Sequence, residues 1–312
     1  MNEQVNSLFS IPQYQMTERI FRVEIAGNRH YRRESGRLYK SLTTFLSAVM
    51  PQNRFLQTWR EKMAADLGSA EKAAEYVQAT ADYGTLLHIA VADYSRFGGV
   101  EWQAFDTFVF DYLQNMKLEP GALAAAQKEV TKDFASILQF FHDYNVRVLA
   151  VEIPCFSDHG IATLVDLVVE MDSKNYDKTP AEKRERHRAI INLKSGKKGF
   201  FEEHIFQLAM ERAMFNETYH EDITEAYNLA PSDWKDKPTY KLKNQTDEID
   251  AQSIEQQLYH LIELGKIRGV LSSPKKPVHV FTGKTEYGAN PTDNLKTYQY
   301  NDFVNLKLFN NE

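Results

Sequence analysis

Apolar and polar positions change rhythm along the chain, and each rhythm predicts an element. Residues 19–34, RIFRVEIAGNRHYRRE, are rich in β-branched and aromatic side chains around Gly27-Asn28. That pair suits positive φ, so the stretch predicts a β-hairpin. From Ser41, the residues Phe45, Leu46 and Val49, then Phe55, Leu56 and Trp59, recur at helical spacing on either side of Pro51. They predict two short helices broken at the proline. Residues 69–97 read as a longer helix with Ser69 as N-cap and Gly84 in its interior. A glycine there costs about 1 kcal/mol against alanine, which points to close packing or a helix restart. Two further helices, 101–117 and 121–144, flank Glu119-Pro120-Gly121.

At residue 146 the period shifts towards two. VRVLAVEIPCFS and IATLVDLVVEM are strand-like and separated by His159-Gly160, so they are expected to pair antiparallel. AIINLKS from Ala189 is a third strand. Residues 200–219 form a helix whose apolar face carries Phe201, Ile205, Leu208 and Phe215. Short strands are expected at 222–229 and 239–243, an amphipathic helix at 254–271, and mostly loop from Ser272. No repeat, low-complexity block or flexible linker divides the chain. The expectation is one α/β (α+β) domain over 1–312, with a mixed sheet flanked by helices. It has an N-terminal hairpin and helices (1–145), an α/β core (146–243), and a C-terminal helix and tail (244–312).

Composition narrows the function. Basic residues number 37 against 43 acidic, a net charge of −6, and hydrophobics make up 43%. This is globular and rules out whole-surface attraction to nucleic acid, though not a local basic site. The single cysteine, Cys155, can neither close an intramolecular disulfide nor hold a four-thiolate cluster. No apolar run approaches the roughly 18–20 residues of a membrane span, and no secretory signal pattern opens the chain. A reducing cytoplasm is the expected setting, with no membrane partner. Neither a Gly-x-Ser-x-Gly elbow nor a Walker-type phosphate loop is present.

One constellation carries chemistry. Glu152 lies on the first core strand, Asp166 on the second, and Asn192 and Lys194 on one face of the third. An acid, an amide oxygen and a lysine on one sheet edge can hold a hard divalent ion and orient a water, which is what phosphodiester hydrolysis needs. In order along the chain stand LYKSLTTFLSAVMPQNRFLQTW, YGTLLH (83–88), VEIPCFSDHGIATLVDLVV (151–169), INLKSGKKG (191–199) and FQL (206–208). These segments resemble the PD-(D/E)XK nucleases, in the RecB-type or phage-type exonuclease branch, over about residues 38–243.

The resemblance implies a restriction-endonuclease-like core and metal-dependent DNA hydrolysis, exonucleolytic, in DNA processing or recombination. His88, Asp166 and Asn192 would be metal ligands for Mg²⁺ or Mn²⁺. Lys194 would be the catalytic lysine, Glu152 would lie beside the metal, and Gln207 would contact the substrate strand or brace the lysine. The iron–sulfur cluster of related branches does not carry over. The partners implied are DNA, as a single strand or a duplex end, and a recombination or phage protein, in a bacterial or phage-infected cell.

One position departs from the pattern: residue 192 is Asn where the family has Asp or Glu. The amide brings no charge, and Glu202 or Glu203 is a candidate substitute. The alternative expectation is therefore a weakened relative that binds nucleic acid without cutting it, or a structural component of a phage particle. Eight Lys/Arg against two Glu between Lys178 and Lys198 form a local basic run. Arg186, Arg188, Lys197 and Lys198 are its expected phosphate contacts.

Overall fold

The computed structural model describes Tyr14 and residues 20–25, 27–50, 54–97, 102–114, 120–173, 180–197, 199–251, 253–271 and 285–287. The expected hairpin is β1 (Ile20–Ile25) and β2 (Asn28–Arg33), turning on Gly27 at φ +73°. A four-residue strand that the pattern did not announce, β3 (Leu38–Ser41), follows and pairs antiparallel with β2. Ser41 then caps α1 (Leu42–Val49), accepting the Thr44 N–H on its hydroxyl. The next helices are α2 (Arg54–Leu67), α3 (Ala70–Phe97), α4 (Trp102–Gln114) and α5 (Pro120–Asp143). Ser69 caps α3 as expected, accepting from the Lys72 N–H.

The core strands β4 (Arg147–Phe156) and β5 (Ile161–Asp172) pair antiparallel across their short turn. Strand β6 (Arg186–Leu193) begins three residues before the predicted Ala189. Its arginines lie opposite acids of β5, Arg188 against Glu170 and Arg186 against Asp172, so charge pairing extends the strand beyond its apolar stretch. Helix α6 (Glu202–Tyr219) ends at His220 in the left-handed region. Strands β7 (Glu225–Pro231) and β8 (Tyr240–Asn244) come next. Helices α7 (Thr246–Ala251) and α8 (Ile254–Ile267) follow, and the tail adds β9 (Thr285–Tyr287). The tail thus contributes a strand where loop was expected.

The nine strands among the described residues join one mixed sheet in the order β8-β7-β6-β5-β3-β2-β1-β9, with β4 on the other edge of β5. Helices α3, α4 and α5 cover one face over a core that includes Leu87, Phe134, Ile137, Val169, Ile191 and Leu229. Helices α1, α6 and α8 cover the other over Phe45, Ile153, Val168, Ile190, Leu208 and Phe215. Alternating positions of the central strands fill the two cores in turn, which is why those strands read as nearly continuous apolar runs.

Strand β5 is where the sheet forks. On one edge it runs beside β4. On the other it pairs with β6 only over Leu167–Asp172, and with β3, in parallel, only at Ile161 and Ala162. Residues 163–166 of β5 therefore face a gap between β6 and β3. The alternation also breaks there. Val151 and Leu167 belong to the first core, while Ile153 and Val165, a dipeptide away, belong to the second. Glu152, which stands between Val151 and Ile153, has φ +47°, a left-handed conformation that is uncommon for a non-glycine residue.

Candidate metal centre

The fork opens into a cavity of about 530 Å³. Thr163, Leu164 and Asp166 line it from the stretch of β5 that borders the gap. Asn192 and Lys194 line it from the end of β6, as their shared strand face predicts. Strand β6 turns away from β5 here and stays with β7, since the Lys194 N–H donates to the Leu229 carbonyl. The preceding N–H, that of Leu193, points back to β5 and meets the Asp166 carboxylate, which accepts it on Oδ2 at 2.7 Å. A side-chain oxygen thus takes up a donor that the strand ladder no longer satisfies.

His88 reaches the cavity from α3. Gly84, one turn earlier, lets the helix approach the loop after β6. A Cβ at that position would stand 3.0 Å from the Ser195 hydroxyl oxygen. Close packing, not a restart, explains the mid-helix glycine, because α3 runs unbroken through it. His88 Nδ1 is 3.1 Å from Glu152 Oε1 and 3.4 Å from Asp166 Oδ1. One donor atom from each of the three lies within 4.8 Å of the others, the spacing of ligands around a single ion. Burial works against a charged imidazole, but the Asp166 and Glu152 carboxylates outweigh it and raise the ring's pKa to about 10. Burial and the neighbouring Asp166 charge push the Glu152 carboxyl up, opposed by His88 and, further off, by Arg29. Two acids held this close to one imidazole favour any cation, a proton or a metal.

Lys194 is held from the opposite side. Its Nζ donates to Gln207 Oε1 at 2.9 Å, and Gln207 Nε2 donates to Glu211 Oε1 at 2.8 Å. The Thr163 hydroxyl also donates to that carboxylate oxygen, at 3.4 Å. Of the two roles expected for Gln207, the structure displays the brace. Burial lowers the Lys194 ammonium pKa, against the pull of Asp166, Glu211 and Glu203. Glu211 is fully buried, and burial, with Asp166 adding to it, raises its carboxyl to about 8 against the Lys194 charge. Glu211 was not singled out from the sequence. The available signal was its i, i+4 spacing from Gln207 on α6, which puts both on one helix face.

Asn192 is fully buried, and among the described residues neither its amide oxygen nor its nitrogen has a hydrogen-bond partner. It lines the same cavity as His88 and Asp166, but the three-donor cluster consists of His88, Glu152 and Asp166. Glu152 thus joins the charged donors, and Asn192 stands on the same lining beside them. Glu202 is exposed at the start of α6, and neither it nor Glu203 lines the cavity. From that helix Glu211 and, more weakly, Glu203 act on the Lys194 charge.

Of the expected phosphate contacts, Arg186, Arg188 and Lys197 are paired with acids in this structure. Arg186 spans Glu170 and Asp172 at 2.9 and 3.0 Å and also donates to the Asn145 carbonyl. Arg188 pairs with Glu221 at 3.0 Å. Lys197 is surrounded by Glu129, Asp133 and Asp233. These three cations are neutralised by acids of neighbouring elements, and none lines the cavity. Lys198 lies outside the described residues. No described helix is long and apolar enough to cross a membrane. Compared with known proteins, the chain matches no family model and no curated protein.

Proposed function

We propose that this chain is a metal-dependent nuclease that hydrolyses phosphodiester bonds in DNA, built on a restriction-endonuclease-like core. The observation that carries the reading is one cavity shared by a three-donor group and a lysine. His88, Glu152 and Asp166 lie within ligand spacing, and Lys194 is fixed by Gln207 on the facing wall. The donor set fits a hard divalent ion. Two carboxylates supply charge, one imidazole supplies nitrogen, and the unpartnered Asn192 amide offers a further oxygen beside them. Mg²⁺ or Mn²⁺ held there would neutralise the phosphate and make water more acidic.

The chain's own groups do the rest. Asp166, bonded to the Leu193 N–H, cannot swing away, so its other oxygen stays aimed at His88. The Lys194 ammonium, tethered at its tip, points into the cavity to orient the attacking water or meet a phosphate oxygen. Gln207 and Glu211 fix the direction of that tip.

A second reading follows from Asn192, which stands in the cavity without a charge. It is a relative whose weakened site binds nucleic acid without cutting it. End-labelled single- and double-stranded DNA, incubated with wild type, Lys194→Ala and Asn192→Asp in EDTA, Mg²⁺ and Mn²⁺, separates the two. Metal-dependent cutting by wild type that Lys194→Ala abolishes supports the nuclease. Cutting by Asn192→Asp alone supports the binding module. Cutting by Lys194→Ala at the parental rate refutes the role given to the lysine.

A further inference from the structure

Arg186, Arg188 and Lys197 are paired with acids and lie off the cavity, so a nucleic-acid strand entering it would need cations besides Lys194. The hairpin carries them. Arg22 on β1 and Arg29 on β2 line the same cavity as His88 and Lys194. Arg22 lies directly opposite Tyr31, and Arg29 stands one alternation along β2 from that tyrosine. Alternation therefore puts both arginines on the Tyr31 face of the sheet. That face continues through the Tyr31–Tyr39 pair to Ser41, which lies beside Ala162 of β5 and also lines the cavity. Both arginines are exposed at the rim, whereas Tyr31 beneath them is 3% exposed and anchors the strand.

Counting across the sheet from β5, β2 is the second strand and β1 the third. With about 4.8 Å between neighbours, Arg29 springs from roughly 10 Å and Arg22 from roughly 14 Å away from the Asp166 strand. Those backbone separations suit phosphates further along the strand than the one at the metal centre. Thr43 and Thr80, also on the lining, add neutral hydroxyls between the two ends.

We propose that Arg22 and Arg29 form a phosphate-backbone subsite, through which the N-terminal hairpin holds a nucleic-acid strand running into the cavity. The proposal rests on the reading of the cavity as a nucleic-acid site, but not on its being catalytically competent. Two arginines placed away from the reacting phosphate contribute to affinity and its salt dependence, not to the chemical step.

The test is fluorescence anisotropy with a labelled oligothymidylate in Ca²⁺, titrated over a range of salt. Arg22→Ala/Arg29→Ala should weaken binding by about tenfold or more. It should also make the slope of log affinity against log salt shallower by about 1.4, at roughly 0.7 per phosphate on a single strand. Arg22→Lys/Arg29→Lys should restore most of the affinity and the slope, which a mere folding defect would not allow. Arg188→Ala, which removes a guanidinium paired with Glu221, should bind as wild type does. Parental affinity and slope in the double alanine variant would overturn the proposal, as would the absence of salt-sensitive binding by wild type. If wild type binds in this manner but cleaves nothing in Mg²⁺ or Mn²⁺, the nuclease reading falls and the subsite stands.

Discussion

Asn192→Asp tests the site most sharply, because it adds one charge where the structure has room for only one kind of partner. Position 192 is fully buried, its amide atoms have no partners among the described residues, and Asp166 lines the same cavity. Without metal the new carboxylate is a buried charge in excess, since Asp166 and Glu152 already face the His88 and Lys194 cations. Such a charge costs about 3–5 kcal/mol. For a chain of this size each kcal/mol lowers Tm by about 2 °C, so a drop of roughly 6–10 °C is expected in EDTA at pH 8. With a divalent ion in place the sign reverses. Two charges against one across about 4 Å, at an effective dielectric near 20, attract by about 8 kcal/mol, which exceeds the cost of burial. The variant should therefore bind Mn²⁺ at least about 100-fold more tightly than wild type, a gain of about 3 kcal/mol. Thermal unfolding against Mn²⁺ concentration reads both halves, since a ligand that binds only the folded state raises Tm by mass action. If Tm in EDTA and its response to Mn²⁺ both match wild type, Asn192 does not adjoin a cation seat, and the reasoning from its unpartnered amide fails.

Three further outcomes are expected. Lys197→Ala leaves the buried Asp133 carboxylate with Tyr83 but without its cation, so urea denaturation should show a loss of about 3 kcal/mol while oligonucleotide affinity stays unchanged. Gly265→Ala would place a Cβ 2.7 Å from Cε2 of the fully buried Phe45, where α8 packs on α1; overpacking should cost about 1–3 kcal/mol, outweighing the helix-propensity gain, and a stabilised variant would contradict the packing. His204 is held below its ordinary 6.5, to about 4, by burial and then by the Lys194 charge, and its neutral Nδ1 accepts the Phe201 N–H that opens α6. Because the folded-state pKa is depressed, its contribution is full above pH 6.5 and lost as pH falls towards 4. That contribution is at most about 3 kcal/mol and smaller for its partial exposure, and His204→Gln should flatten this part of the stability–pH curve.

The ion pairs and the sheet gap show why some of the site was legible in advance and some was not. His88, Glu152, Asp166, Lys194 and Gln207 stood out from the sequence, and all five line the cavity. The pairing of the basic run was not legible because its partners come from other elements: Glu170 and Asp172 from β5, Glu129 and Asp133 from α5. Charge counted along a segment does not register acids brought in by folding. Glu211 resembles any charged residue of an amphipathic helix until the cavity places it under Gln207. Arg22 and Arg29 look like the solvent face of a hairpin, and only the attachment of that hairpin turns them towards the cavity.

What the chain specifies locally came through its own periodicities. The hairpin turns on Gly27, Ser41 and Ser69 cap their helices, α1 ends at Val49, and β4 and β5 pair across a short turn. Each of these depends on residues close in sequence, where propensity, capping and alternation act directly. The tertiary structure decided the rest. Strand β3 is only four residues long and is held to β5 by parallel pairing across about 120 positions of sequence. That pairing leaves residues 163–166 without a strand on the edge away from β4, opens the gap in which the acids meet His88, and carries the hairpin arginines to its rim. No local pattern encodes such a gap, because it is defined by where two distant strands stop.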